Sequence, residues 1–340
     1  MRRPLVVKLG SSLVVDPRGR TRRSLLRERA GEIAGLLRDG TPVCVVSSGA
    51  IALGLQRLGV DRRPSSLPRL QAASALGQAA LQRAWQDAFR PHGVEAAQIL
   101  LTSAEMGDRR AYVNVRSALA ALFALGAVPI VNENDATATD EIAFGDNDAL
   151  AAQVAVLLKA RQLVLLTSVA GVLAEGMVIE EGAAARSAVF GRGTAFGRGG
   201  MESKVAAAEL AAGAGIPTVI ADGTRSGVLA EALAGRRGGT RFAAAGSAPA
   251  FKLWLKYGKR VAGRIHVDAG ARRAVVSAGA SLLAVGVTSC EGSFRAGDGV
   301  ELIGPDGETF ARGIASLDAA ELEGRPPGIE AVHRDRLVLS

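Results

Sequence analysis

The segment "PLVVKLG", residues 4–10, decides the fold class of this chain. It is a short apolar run that ends in glycine, and a second run of the same kind, "TPVCVVSSG", occupies residues 41–49. Between them, "RRSLLRERAGEIAGLLRDG" (residues 22–40) carries apolar residues at helical spacing and closes on a glycine. Strand, helix and strand in this order predict a βαβ unit with parallel strands.

The same alternation continues outward from this unit as far as "PTVIAD", residues 217–222. Helical stretches such as "LQAASALGQAALQRAWQDAF" and "MESKVAAAELAAGAG" alternate with apolar runs such as "VEAAQILL" and "QLVLLTS". Mostly apolar runs of this length are typical of strands that helices cover on both faces. We therefore predict an α/β fold with an open, mainly parallel sheet sandwiched by helices.

The alternation stops at an alanine- and glycine-rich stretch, "RFAAAGSAPA", residues 241–250. Beyond it, "AGRIHVDAGA", "GDGVELIGPDGETFARGIAS" and "IEAVHRDRLVLS" indicate short strands joined by glycine turns. We predict an α/β domain over residues 1–243, a linker over 244–250, and a small β-rich domain over 251–340.

The composition narrows the classes of protein that remain. Hydrophobic residues make up 48% and charged residues 22% of the 340, and the apolar runs are far shorter than the ~20 residues of a membrane-spanning helix. We expect a soluble, cytoplasmic protein without a membrane segment. Cys44 and Cys290 lie in different regions without metal-ligand spacing, which suits core packing in a reducing compartment.

The net charge of +8 is unevenly distributed. From residue 251 onward, 12 Lys and Arg face 11 Asp and Glu, so the excess lies upstream. Part of it is in "DPRGRTRRSLLRERA", residues 16–30, which indicates a solvated helix face or a weak attraction for anionic substrates. RNA affinity depends on neutralised phosphates and stacking aromatics, and the near-neutral tail and 4% aromatic content disfavour it.

Polar side chains collect where the predicted strands end, the edge at which open α/β sheets bind ligands. Lys8 interrupts the first run, so its ammonium either meets an anion or snorkels to water. Ser48, in "SSGAIALG", either caps the next helix or directs its hydroxyl to a carboxylate. Asp135, in "VNENDATAT", and Asp148, in "GDNDALAAQ", either stabilise helix N-termini or bind a ligand. Metal binding by these carboxylates stays open, without a known loop spacing to support it.

A glycine-rich turn precedes a helix in "GRGGMESK", residues 197–204. The spacing excludes a Walker-type phosphate loop, in which Lys directly follows Gly and Ser or Thr follows Lys. Here three residues separate Gly200 from Lys204, which places the lysine in the first helical turn. Backbone N–H groups and a lysine at this position are able to hold the terminal phosphates of a nucleotide.

Taken together, "VVKLGSS", "VVSSGAIALG", "QLVLLTS" and "GGMESKVAAAELAAGAGIPTVIADG" resemble the amino acid kinase family. "VNENDATA" and "GDNDALAA" look like its glutamate 5-kinase branch, and "GRIHVDAGARRAVVSAGASLL" with "AVHRD" is similar to the PUA domain. The resemblance spans nearly the whole chain. It implies transfer of the γ-phosphoryl group of ATP to the side-chain carboxylate of L-glutamate, the first step of proline biosynthesis. It further implies a homo-oligomer that proline inhibits by feedback.

The resemblance assigns roles to individual residues. Lys8 and Lys204 match the lysines that flank the transferring phosphoryl group, and Asp148 matches the carboxylate that orients both. Ser48, Asp135 and Asn147 match the glutamate-binding positions. The nucleotide-binding positions are Lys8, Thr167, Ser168, Arg198, Gly199, Gly200, Met201, Glu202, Ser203 and Lys204. No protein residue is expected to bind metal, because ATP phosphates would hold Mg²⁺.

The nucleotide-binding segments depart from the family pattern. Thr167 and Ser168 stand where the family usually has Thr-Asp. The Asp-Pro element that commonly follows is missing, and the segment from Gly171 to Gly197 is shorter than in the family. Arg198 replaces a small residue, and its guanidinium either contacts phosphate or points to solvent. The lysines and carboxylates are kept, so we expect activity and leave nucleotide affinity open.

Two other functions stay open at this point. Another amino acid kinase, acting on carbamate, aspartate or a phosphate acceptor, would share both lysines but lack the paired "NEND" and "GDND" segments. A regulatory or RNA-binding protein with an inactive kinase domain would account for the PUA-like tail and the altered nucleotide loop, although the tail's charge disfavours it.

Overall fold

The computed structural model describes residues 2–60, 62–102, 105–106, 109–137, 147–190, 200–235, 238–246, 255 and 261–339. The chain divides into two compact units, Met1–Ser247 and Ala248–Ser340. The predicted linker, 244–250, spans this division, and its last four residues lie outside the described ones.

A seven-stranded sheet forms the centre of the first unit, and its strand order is β3-β4-β2-β1-β5-β8-β9. All neighbours pair in parallel except β9, which runs antiparallel to β8 at one edge. The mainly parallel sheet confirms the predicted fold class. The strands, with a small β6–β7 hairpin outside the sheet, are β1 Leu5–Leu9, β2 Val43–Ser47, β3 Ala96–Leu101, β4 Val128–Glu133, β5 Gln162–Thr167, β6 Leu173–Ala174, β7 Met177–Val178, β8 Thr218–Asp222 and β9 Thr240–Phe242.

Helices connect these strands. Among the helices of the described residues, none is both long and apolar enough to cross a membrane. The helices of this unit are α1 Ser11–Val14, α2 Arg23–Arg38, α3 Ala50–Arg57, α4 Leu67–Phe89, α5 Arg109–Ala124, α6 Asn147–Leu157, α7 Gly182–Phe190, α8 Met201–Gly213 and α9 Val228–Leu233.

The central strand β1 explains where the site forms. All five of its residues are buried, because β2 and β5 flank it and helices cover the sheet. Lys8 is the one charged residue in this strand, and it is only 4% exposed. A buried ammonium is stable only beside a compensating group, so the fold must bring an anion to the end of β1.

Two glycines allow α3 and α4 to touch backbone to backbone. A Cβ added at Gly54 of α3 would lie 1.7 Å from the carbonyl oxygen of Ala73, and one added at Gly77 of α4 would lie 1.7 Å from that of Ala50. No real side chain fits at these distances, so both positions require glycine. This contact holds α4 against the helix that follows β2.

The second unit, described by itself, is built around a five-stranded sheet of order β12-β10-β13-β14-β16 and a short β11–β15 pair. Helix α10 lies between the first two strands of this unit, where the sequence pattern predicted only strands and turns. The Asp268 carboxylate caps this helix by accepting a hydrogen bond from the N–H of Ala271. The elements of this unit are β10 Val261–Val267, α10 Ala269–Ala278, β11 Leu282–Leu283, β12 Val287–Glu291, β13 Gly299–Ile303, β14 Thr309–Ile314, α11 Ala319–Glu323, β15 Glu330–Val332 and β16 Leu337–Leu339.

Candidate active site

Three charged side chains from distant parts of the chain meet at the carboxyl end of β1. Asp148, in the first turn of α6, places Oδ1 2.5 Å from Lys8 Nζ and Oδ2 3.0 Å from Lys204 Nζ. Lys204 lies in the first turn of α8 and also donates to the Gly200 carbonyl oxygen at 2.9 Å. One carboxylate therefore holds two ammonium groups in fixed positions.

The protonation state of this cluster follows from its surroundings. Burial raises the pKa of Asp148, but the charges of Lys8 and Lys204, with hydrogen bonds from Lys8 and Ser203, outweigh burial and lower it overall. The Ser203 hydroxyl donates to Oδ2 at 2.8 Å. Two cations and one ionised carboxylate leave a net charge of +1, which suits an anionic ligand.

The alternatives left open for Lys8 and Asp148 are decided by this geometry. Lys8 is buried and ion-paired, so its ammonium does not snorkel to water. Asp148 does lie at a helix N-terminus, yet both carboxylate oxygens face lysines. Its position on α6 therefore serves the ion cluster.

Neutral polar groups lie next to this charged cluster. Asn147, the residue before Asp148, donates from Nδ2 to Ser48 Oγ and to Asn132 Oδ1, both at 2.9 Å. Ser48 follows β2, and the cap of α3 is Gly49, in the left-handed region at φ 117°, without a side-chain hydrogen bond. The Ser48 hydroxyl is thus not a helix cap, and it remains beside the end of the sheet.

Asp135 lies in the turn after β4 and is 6% exposed. Ser74 of α4 donates its hydroxyl to Asp135 Oδ2 at 2.7 Å. Burial raises the pKa of this carboxyl, and the Ser74 hydrogen bond and the charge of Arg63 lower it by less, so the net shift is upward. Among the described residues, Ser74 is the one hydrogen-bond donor to this carboxylate, so the carboxylate has capacity left for a cation.

Helix α4 supplies three side chains that sequence reasoning missed. Besides Ser74, Gln78 donates to the Glu133 carbonyl oxygen at 3.1 Å and accepts from Asn132 Nδ2 at 3.2 Å. Trp85 donates to Ser47 Oγ at 2.9 Å. These residues lie within a regular amphipathic pattern, where a polar residue on the buried face is the one available signal.

The nucleotide-binding predictions are only partly within the described residues. Thr167 ends β5 half-buried, with Ser168 exposed after it, and Gly200, Met201, Glu202 and Ser203 lie at the start of α8. An added Cβ at Gly200 would meet no atom of the described residues within 4 Å. Arg198 and Gly199 lie outside the described residues.

The basic run near the N-terminus forms one wall of a cavity of about 670 Å³. Arg18, Arg22 and Arg63 line it together with residues of α3. Among the described lining residues Asp16 is the one acidic side chain, and it is engaged by the Arg20 guanidinium and by the backbone N–H groups of Arg18 and Arg20. The cavity is therefore cationic, in agreement with the weak preference for anions that the sequence indicated.

Among the described residues, no group of three or more His, Cys, Asp or Glu side chains is arranged to hold a metal ion. The Asp148 carboxylate is already shared by two lysines and a serine. Any divalent cation at this site would need most of its oxygen ligands from a substrate.

Comparison with known proteins agrees with this geometry. The family model described as the amino acid kinase family matches residues 3–222, and the PUA domain model matches residues 263–331. A solved structure, that of carbamate kinase from Giardia, is similar with a TM-score of 0.52 and 19% identity, covering 70% of this chain and 98% of that chain. At this identity the likeness concerns the fold alone.

Full-length relatives are more informative. The glutamate 5-kinase of Pelobacter propionicus is 40% identical, covering 98% of this chain and 97% of its own. Those of Novosphingobium aromaticivorans and Burkholderia multivorans are 42% and 41% identical, each across 98% of this chain. The resemblance seen in the motifs is confirmed, and neither alternative function gains support from these relatives.

Proposed function

The chain belongs to the amino acid kinase family and, within it, to the glutamate 5-kinases, and on this premise we propose a reaction for the site described above. The enzyme transfers the γ-phosphoryl group of ATP to the side-chain carboxylate of L-glutamate. The observation that carries the proposal is the bridge of Lys8 and Lys204 by one carboxylate, directly beside Asn147 and Ser48.

The two lysines perform the electrostatic part of the reaction. A carboxylate oxygen of glutamate attacks the γ-phosphorus, the bond from phosphorus to the β,γ-bridging oxygen breaks, and ADP leaves with those electrons. The acceptor is already ionised, so no general base is needed. Negative charge on the transferring group and leaving oxygen is met by Lys8 and Lys204, which Asp148 holds before substrate arrives.

The acceptor amino acid binds beside the cluster, between Asp135 and the polar side chains of Ser48 and Asn147. Asp135, with spare capacity for a cation, pairs with the α-ammonium group, and the Ser48 hydroxyl donates to a carboxylate. Asn147 reaches the same space from the first turn of α6. Ground-state recognition is thus separate from the groups that stabilise the transition state.

Nucleotide binding combines the start of α8 with the end of β5. The N-terminal turn of α8 offers backbone N–H groups to phosphate, and Thr167, the last residue of β5, and Ser168, which follows it, contribute side-chain hydroxyls. A Mg²⁺ ion bound together with ATP would supply charge neutralisation for the leaving group.

A hydroxylamine trapping assay tests the proposal directly. Hydroxylamine converts an acyl phosphate to a hydroxamate, so product should form only with both ATP and L-glutamate present. Aspartate and carbamate serve as control acceptors, and the rate of ADP release is measured with each of them and with glutamate. Faster ADP release with either control than with glutamate would show that the acceptor is misassigned.

We further propose that proline inhibits the enzyme by feedback, that the protein is a homo-oligomer, and that the PUA domain has a structural or regulatory role. The near-neutral tail supports the last point, because it offers few surplus cations to RNA phosphates. Inhibition curves with proline and light scattering of the purified protein test the first two.

A further inference from the structure

A chain of three side-chain amides runs from α4 to the acceptor site. Gln78 contacts Asn132, and Asn132 contacts Asn147, whose Nδ2 also reaches Ser48 Oγ. All three amides are at least nine-tenths buried, with exposures of 9%, 3% and 6%. Water is therefore unable to compensate for a misoriented amide in this chain.

The donor and acceptor of every hydrogen bond in this chain of amides are fixed at the Gln78 end, which is the end away from the acceptor site. Gln78 Nε2 lies 3.1 Å from the Glu133 backbone carbonyl oxygen, which only accepts hydrogen bonds. The Gln78 NH₂ must therefore face Glu133, and Oε1 must face Asn132. Asn132 then presents Nδ2 to Gln78 and Oδ1 to Asn147, so Asn147 presents Nδ2 in turn.

At the end of the amide chain beside the acceptor site, the Ser48 hydroxyl is left as a hydrogen-bond donor and Asn147 Oδ1 as an acceptor. Ser48 Oγ accepts from Asn147, so its hydroxyl proton is available to donate. Asn147 Oδ1 is buried and has no hydrogen-bond partner among the described residues. A buried amide oxygen without a donor carries a desolvation cost that a ligand N–H group removes on binding.

We propose that Gln78 is a positioning residue that sets acceptor selectivity through this chain. By fixing the amide orientation of Asn147, it keeps Oδ1 as an acceptor for the ammonium group of the substrate, together with Asp135. The site then requires an amino acid and disfavours the corresponding dicarboxylic acid without an amine. This inference rests on the proposed function, because it assumes that the acceptor is glutamate.

A matched pair of variants separates orientation from packing. Gln78→Met keeps length and apolar volume but removes both hydrogen bonds, so Asn132 and Asn147 are free to turn over. Gln78→Glu keeps an acceptor for Asn132, and burial favours its protonated form, which also donates to the Glu133 carbonyl oxygen. Gln78→Glu therefore keeps the donor–acceptor order of the hydrogen bonds through Asn132 and Asn147.

The experiment measures KM for L-glutamate and the inhibition constant of glutarate, which lacks the ammonium group. For Gln78→Met we expect KM to rise ~10-fold, the loss of about one hydrogen bond to a charged group. The inhibition constant of glutarate and kcat should stay within about twofold. Gln78→Glu should restore a KM near that of the wild type.

The possible outcomes are distinct. Equal weakening of glutamate and glutarate in Gln78→Met, or an unchanged KM, would overturn the proposed role of Gln78. If Gln78→Met fails to fold, Asn132→Leu cuts the chain one amide later and must show the same selective loss. Failure of the proposed function looks different, because the wild-type enzyme would then form no hydroxamate from glutamate.

Discussion

The two ends of the active site use different physical devices, although they meet at adjacent residues. At the phosphoryl end, Asp148 holds two ammonium groups through charge. At the acceptor end, Asn147 belongs to a chain of neutral hydrogen bonds with one direction. Charge attraction acts at any orientation, whereas an amide must face the right way. The first device suits a charged transition state, and the second suits the selection of one substrate.

The largest expected effect tests the charged end. Lys8→Ala and Lys204→Ala should each lower kcat by ~10²-fold or more, because each removes a cation that meets charge in the transition state. KM for glutamate should change far less, since the acceptor end is kept. Steady-state kinetics on folded variants measures both quantities.

A lysine outside the site provides the control for this prediction. Lys159 is exposed in a turn after α6, so Lys159→Ala should leave kcat unchanged. Near-normal turnover in Lys8→Ala or Lys204→Ala would remove that lysine from the mechanism.

The opposite pattern is expected at the acceptor end. Asp135→Ala should raise KM for glutamate by ~30-fold or more, because it deletes the charged partner of the α-ammonium group in a buried site. The affinity for ATP should be maintained, which titration of nucleotide binding checks. Unchanged KM for glutamate, or loss of ATP binding alone, would show that Asp135 does not bind the ammonium.

The pH dependence of kcat/KM for glutamate tests the role of Asp135 further, and the expected change is smaller than that of Asp135→Ala. The ionised form of Asp135 binds the ammonium, and its pKa is raised, so kcat/KM for glutamate should fall on acidification at higher pH than for an ordinary aspartate. Arg63 lowers this pKa, so Arg63→Gln should move the acid limb to still higher pH.

The neighbouring Arg62, also exposed, is the matched control. Arg62→Gln should leave the acid limb of kcat/KM in place. An acid limb that moves to lower pH in Arg63→Gln would contradict the assigned charge effect.

The smallest effect is expected from removing the second unit. Both ends of the site lie upstream of residue 247, so a chain ending after Ser247 should keep kcat within about threefold if the first unit folds alone. Complete loss of activity in a truncation that circular dichroism shows to be folded would contradict this independence. Submicromolar, steeply salt-dependent RNA binding by the remaining tail would contradict the charge argument.

The two ends of the site also differ in how many of their residues could be predicted from the sequence. Lys8 and Lys204 could be singled out from the residues themselves, because a lysine in a buried strand or just after a glycine-rich turn is unusual, whereas the role of Asp148 came only from the resemblance to the family. The sheet was predictable from its alternating runs. Ser74 and Gln78 were not, because a serine and a glutamine inside a regular amphipathic helix carry no sign of their partners, Asp135, Asn132 and the Glu133 carbonyl oxygen. Only the packing of α4 places these side chains beneath the acceptor site.

The close backbone contacts that α3 and α4 make at Gly54 and Gly77 have a consequence for protein engineering. Replacing a helical glycine with alanine is a common way to raise thermal stability, because it stiffens the unfolded chain and favours the helix. Here the new methyl group would collide with a facing carbonyl and push α4 outward. The substitution should therefore lower the melting temperature, and it should also weaken glutamate binding, because Ser74 and Gln78 move with the displaced helix.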